Sequence, residues 1–144
     1  VADVIDRFME EIEPHLVDQR RKRHKYPEIG FAEYVTTYEL SEQLTHKGFE
    51  LFFGRDLLTS EERMGVPSEG FLKQQEQRAL GYGVPLDFLA QMKGGHTGFA
   101  AVLDTGKKGP NFAYRFDIDA LPIEEEGNPP MCQPRKLSVR KFPA

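Results

Sequence analysis

Apolar residues recur at helical spacing at the start of the chain. Val1, Val4, Ile5, Phe8 and Ile12 share one face, Leu16 extends it, and Asp3, Arg7 and Glu11 fall on the other. Pro14 lies inside this pattern and predicts a kink or a restart. Residues 20–25 are strongly basic and suit a helix C-terminal end, where the exposed carbonyls favour cations. Tyr26-Pro27 stops the helix. A second helix is predicted over residues 33–47, with Tyr34, Tyr38 and Ser41, or Val35, Tyr38 and Leu44, as its buried side. His46 and Lys47 suit its last turn, and Gly48 the left-handed position after it. Phe49, Leu51 and Phe53 then alternate with Glu50 and Phe52, the period of a strand.

The pattern weakens between Gly54 and Gly95. Residues 63–67 (Arg-Met-Gly-Val-Pro) predict a loop, and 71–80 a polar helix. Pro85 suits the first turn of a further helix carrying Leu86, Leu89 and Met92, ended by Gly94-Gly95. A span this long should carry helices of its own. A hairpin is predicted next: an apolar strand over 99–103, a turn over 104–110 rich in glycine and charge, and a return strand over 112–116. The return strand ends in Asp117-Ile118-Asp119-Ala120-Leu121-Pro122. After Glu126 no period survives, and residues 128–144 are expected to be irregular.

Composition narrows the partners. The net charge is −4 over 144 residues, and no basic stripe offers a phosphate-binding footprint, so nucleic acid is excluded as the expected partner. The basic tail Arg135, Lys136, Arg140, Lys141 reads equally as a solvated end. A single cysteine, Cys132, makes no internal disulfide framework, so a cytoplasmic setting is expected. No run of about 18 apolar residues predicts a membrane span. The start lacks the basic and apolar regions of a signal peptide.

Asp117 and Asp119 are the main chemical candidates. Two apart in an extended segment, they point the same way. Paired carboxylates at a strand end bind a hard cation or orient a metal-ligating histidine from behind; equally, both cap a turn. His24 in the basic run suits a helix end. His15, His46 and His96 are isolated in sequence, and no His-x-x-x-His or Cys-x-x-Cys spacing completes a metal site. Cys132 has no positioned neighbour that would activate it.

Three segments carry a family resemblance. Arg20-Arg21-x-x-His24-x-x-Pro27-Glu28-x-Gly30-Phe31-x-Glu33, with Thr36 or Thr37 following, resembles the opening signature of the M20 peptidase family of amidohydrolases. Gly94-Gly95-x-Thr97-Gly98 resembles the second signature, and Arg115-x-Asp117-x-Asp119-Ala120-Leu121-Pro122-Ile123-x-Glu125 the third. Gly54-Arg55, the 63–67 loop and the polar helix after it resemble an insertion in the branch that hydrolyses p-aminobenzoyl-glutamate. The resemblance covers residues 1–127.

It implies an α/β fold, the N-terminal part of an α/β/α sandwich. It also implies two divalent ions, zinc or manganese, that polarise an amide carbonyl and activate water, with a glutamate as general base. The implied ligands are a Cys-Gly-His segment, a Glu-Glu pair and two further histidines, all beyond the third signature. Cys132 is followed by Gln133-Pro134 and does not match. The expectation is therefore a partial catalytic domain over 1–127 and a non-family tail over 128–144. Asp119 is expected to orient a metal ligand and Asp117 to lie near the metal site. The chain itself is expected to bind no metal and to be inactive towards the small amide substrate of the parent enzyme. The alternative is a non-enzymatic interaction protein using its N-terminal helices, or self-association through open sheet edges.

Overall fold

The computed structural model describes residues 2–122. These fall into two units, 2–27 with 120–122, and Glu28–Asp119. The expected tail over 128–144, with Cys132 and the basic cluster, lies outside the described residues, as do Ile123 and Glu125.

In the first unit, α1 (Ala2–Lys25) runs unbroken for 24 residues with Pro14 inside it. The expected restart is thus corrected. Glu10 and Pro14 are both exposed, so the carbonyl that loses its donor at Pro14 can turn to water. Lys22, Arg23, His24 and Lys25 occupy the last turn. Val4, Ile5, Phe8, Met9 and Leu16 are exposed. Among the described residues no helix is long and apolar enough to cross a membrane.

The second unit contains α2 (Tyr34–Thr45), β1 (Glu50–Phe53), two 3-10 turns (Gly54–Asp56 and Ser60–Glu62), α3 (Glu69–Gly81), α4 (Leu86–Gln91) and β2 (Phe99–Val102). Ser68 starts α3 by accepting the Phe71 N–H at 3.3 Å. Pro85 stands just before α4, and Gly48 takes φ 83° after α2, both as the sequence pattern implies. The core joins Ala32 and Tyr34 to Leu72, Ala79, Val84, Leu89 and Met92. Phe88 packs edge-on against Tyr38 (5.0 Å between centroids) and Phe53 (5.1 Å), tying α4 to α2 and β1.

The buried side of α2 is more polar than either predicted stripe. Tyr34, Thr36, Thr37 and Ser41 are buried, while Val35, Tyr38 and Leu44 are only half-buried. Tyr34, Thr37 and Ser41 follow i, i+3, i+7 spacing, so the helical period holds. The apolar weighting fails because the hydroxyls of Tyr34 and Thr37 have backbone partners across the unit.

The predicted hairpin does not form. β2 pairs antiparallel with β1 instead, in the register Leu51↔Ala101 and Phe53↔Phe99. Residues 103–122 have no regular structure. Phe112, Tyr114 and Phe116 are 75–79% exposed. Alternation marks a strand only where one face is buried, and no described residue covers this one. The fold remains of the expected α/β class: helices around a small antiparallel sheet.

Candidate functional site

The part of the first signature from Glu28 onward meets the second signature inside the second unit. Glu28 is buried and accepts the N–H groups of Val35 (3.0 Å) and Thr36 (2.7 Å), so its carboxylate caps the first turn of α2. The positive end of the helix dipole holds that charge. On the same helix the Thr37 hydroxyl accepts the Gly98 N–H at 2.9 Å. The Tyr34 hydroxyl accepts the Gly95 N–H at 3.0 Å and donates to Glu76 Oε1 at 3.2 Å. Glu76 also accepts the Gly94 N–H at 2.9 Å. Arg63, from the predicted loop, donates one guanidinium nitrogen to the carbonyls of Gly94 (3.0 Å) and Gly95 (2.7 Å) and lies 5.7 Å from the Phe31 ring centroid. Gly95 is required here: a Cβ would stand 2.9 Å from the Phe31 carbonyl oxygen.

Glu33 is the centre of this junction. It is buried and accepts a hydrogen bond from the Thr97 hydroxyl. Burial pushes its carboxyl pKa up; the Thr97 bond opposes this, and the nearby charges of Asp119 and Glu28 add to it. Burial likewise pushes the Tyr34 phenol up, with Glu76 adding to the effect. Tyr34→Phe is expected to destabilise the chain by about 2 kcal/mol, because the Gly95 N–H and Glu76 both lose a buried partner. Urea unfolding checks this; a change within a few tenths would mean that the network reorganises.

The third signature is only partly drawn in. Asp119 lies beside the junction: its Oδ2 is 3.7 Å from where a Cβ on Gly30 would sit, and its charge reaches Glu33. Asp117 is exposed and pairs with Arg115 at 2.9 Å. The two therefore do not converge on one point. No strand leads into them, so the expected placement at a strand end is corrected. Neither accepts a backbone N–H among the described residues, so the capping alternative is not what the structure shows.

Among the described residues the donors do not fit a pair of divalent ions. Among the described residues no three His, Cys, Asp or Glu side chains are grouped to hold a metal. Glu28 is spent on backbone N–H groups, and Glu33 on Thr97. His15 and His24 lie on α1, and His46 follows the last turn of α2. His96 is buried, its ring bonded to Ser60 and to the Lys93 carbonyl. Nothing in the sequence pattern singles out His96, because its partner Ser60 lies 36 residues away. Thr97 is hidden for the same reason, since Glu33 is 64 residues away.

No family model matches the chain. It is 38% identical over 123 residues to indole-3-acetyl-aspartic acid hydrolase of Enterobacter agglomerans, covering 85% of this chain and 28% of that protein. It is also 38% identical, over 122 residues, to a p-aminobenzoyl-glutamate hydrolase chain of Escherichia coli (strain K12), again 85% of this chain and 28% of the relative. The crystal structure of an aminobenzoyl-glutamate utilization protein from Klebsiella pneumoniae superposes with a TM-score of 0.75 at 36% identity, over 81% of this chain and 30% of that one. The chain thus spans less than a third of the length of these relatives.

Proposed function

We propose that the chain forms one wall of a site for cleaving the amide bond of an N-acyl or p-aminobenzoyl amino acid, as in the M20-type amidohydrolases that its signature segments resemble. p-Aminobenzoyl-glutamate is the model substrate. The observation that carries this is the structural likeness to the aminobenzoyl-glutamate utilization protein, at an identity of 36%. Asp119 is the positioning residue in this reading. It stands beside Gly30 and the buried Glu33, accepts no backbone N–H among the described residues, and would orient a metal ligand supplied from elsewhere. The 144 residues alone are proposed to hydrolyse no amide, since Glu28 and Glu33 are committed to backbone or threonine donors and no donor triad is assembled among the described residues.

Two assays test this. The pure chain, with zinc or manganese added, is expected to release nothing from p-aminobenzoyl-glutamate or from a panel of N-acyl amino acids; metal-dependent turnover would overturn the inactivity. Residues 1–122 are then grafted in place of the matching part of the Escherichia coli hydrolase chain, and the graft is assayed in the complete enzyme. The graft is expected to hydrolyse p-aminobenzoyl-glutamate, and Asp119→Ala within it to lose about 10- to 100-fold in activity and metal retention. A folded but dead graft would count against the amidohydrolase reading. An unaffected Asp119→Ala would remove only the role given to that residue.

A further inference from the structure

Outside the Glu33 junction, one pair of side chains has the geometry of an activated nucleophile. Ser60 Oγ and His96 Nε2 are 2.9 Å apart, and His96 Nδ1 is 2.9 Å from the Lys93 carbonyl oxygen. A carbonyl only accepts, so Nδ1 carries the ring proton. Nε2 therefore presents its lone pair to the Ser60 hydroxyl, which donates. This is the order nucleophile, base, orienting acceptor that hydroxyl activation requires.

The surroundings fix the base, and the serine itself is only half-buried. His96 is 1% exposed, and its backbone N–H is bonded to the Met92 carbonyl at 3.0 Å. Arg63 holds the carbonyls of Gly94 and Gly95 just before it. Ser60 opens the second 3-10 turn and is half-buried. The exposed Arg55 guanidinium stands 3.4 Å from Ser60 Oγ, where a cation would stabilise an oxyanion forming beside the serine. Ser60, His96 and Arg55 bond to none of the acids Glu28, Glu33 and Glu76 among the described residues.

We propose that Ser60 is a nucleophile activated by His96, able to take the acyl group of a small activated carboxylic ester. Ser60 Oγ attacks the ester carbonyl carbon while its proton passes to His96 Nε2. The bond from the carbonyl carbon to the leaving oxygen breaks, and the alcohol or phenol departs with that electron pair and the proton. Acyl-Ser60 remains, and no oxidant or reductant is needed. Its substrate class is an ester, and its chemistry uses no metal, so it stands independently of the amidohydrolase reading.

The test uses the whole 144-residue chain and p-nitrophenyl acetate, with the acetylated residues located by peptide mapping. Ser60 is expected to be acetylated in the native chain far faster than in the chain unfolded in urea, where His96 is no longer beside it. Ser60→Ala should abolish the serine adduct and leave lysine acetylation unchanged. His96→Gln should slow it by about 100-fold, the usual loss of a general base. Should His96→Gln fail to fold, the native-against-unfolded comparison on the unaltered chain decides alone. No adduct at Ser60, equal rates in native and unfolded chains, or a folded His96→Gln chain acetylated as fast as the original would each overturn the proposal.

Discussion

Gly54→Ala is expected to be the most damaging single-methyl change in the chain. Gly54 is buried, has φ 66°, and follows β1 at the start of the first 3-10 turn. A Cβ built there collides with the Gln91 backbone carbonyl at the end of α4. Two costs add. An L-residue in the left-handed region loses about 1–2 kcal/mol. Forcing a backbone apart in a packed region costs about 1–3 kcal/mol more. The sum, about 2–5 kcal/mol, is a large part of what holds a typical domain folded. Gly48→Ala is the matched control: φ is 83°, and nothing lies within 4 Å of the added methyl. Only the conformational cost of about 1–2 kcal/mol should appear there. Urea midpoints of the two variants give the comparison. Equal losses at both sites would mean that α4 does not press on Gly54 as described.

Thr97→Val should produce the second large effect, and it should grow with pH. The Thr97 hydroxyl is the donor to the buried Glu33 carboxylate, and valine keeps the volume while removing the donor. Losing a hydrogen bond to a buried charged group costs about 2–3 kcal/mol. Burial raises the Glu33 pKa in the folded chain above its ordinary value near 4.5. The folded state therefore holds a proton that the unfolded state has already lost. Stability is fullest below the ordinary value and falls as pH rises through the folded one. Thr97 opposes that shift, so Thr97→Val should raise the folded pKa further and steepen the loss. Glu33→Gln should remove Glu33's part of the slope and gain stability at neutral pH, since an amide oxygen still accepts the Thr97 hydroxyl without the desolvation of a charge. Unfolding free energies across the mildly acidic to neutral range on the three proteins decide this. A Thr97→Val deficit that does not grow with pH would show that the carboxylate is relieved by solvent.

What the sequence disclosed follows the range over which each feature is encoded. The helices were legible because their signals are local: the apolar stripe from Val4 to Leu16, Gly48 after α2 and Pro85 before α4. The strand over Phe99–Val102 was legible as a strand, but its partner was not. Periodicity identifies a half-buried ribbon and does not say which ribbon lies beside it. The nearer candidate at 112–116 lost to Leu51 and Phe53, which bring a covered face with them. The site divides in the same way. The signature segments containing Glu28, Glu33, Thr97 and Asp119 stood out by residue type and order. That Glu33 would be buried on Thr97, or that His96 would find Ser60, depends on chain segments far apart in sequence. The strand end expected to lead into Asp117 is absent, because the segment before it is irregular and exposed.

The bonds that join α2 to the Gly94–Gly98 segment also bear on how the chain reaches its fold. Glu33 to Thr97 spans 64 residues, and both Tyr34 to Gly95 and Thr37 to Gly98 span 61. None of these forms until a loop of that length has closed, and closure costs entropy before any bond repays it. The helices lie within the loop and can nucleate early, but they gain no lasting protection until it shuts. Structure in the second unit should consequently arrive late and together, at the modest speed that long sequence separations impose. Its slowest-exchanging amides should include Gly95 and Gly98, two glycines in a loop rather than residues in the middle of a helix.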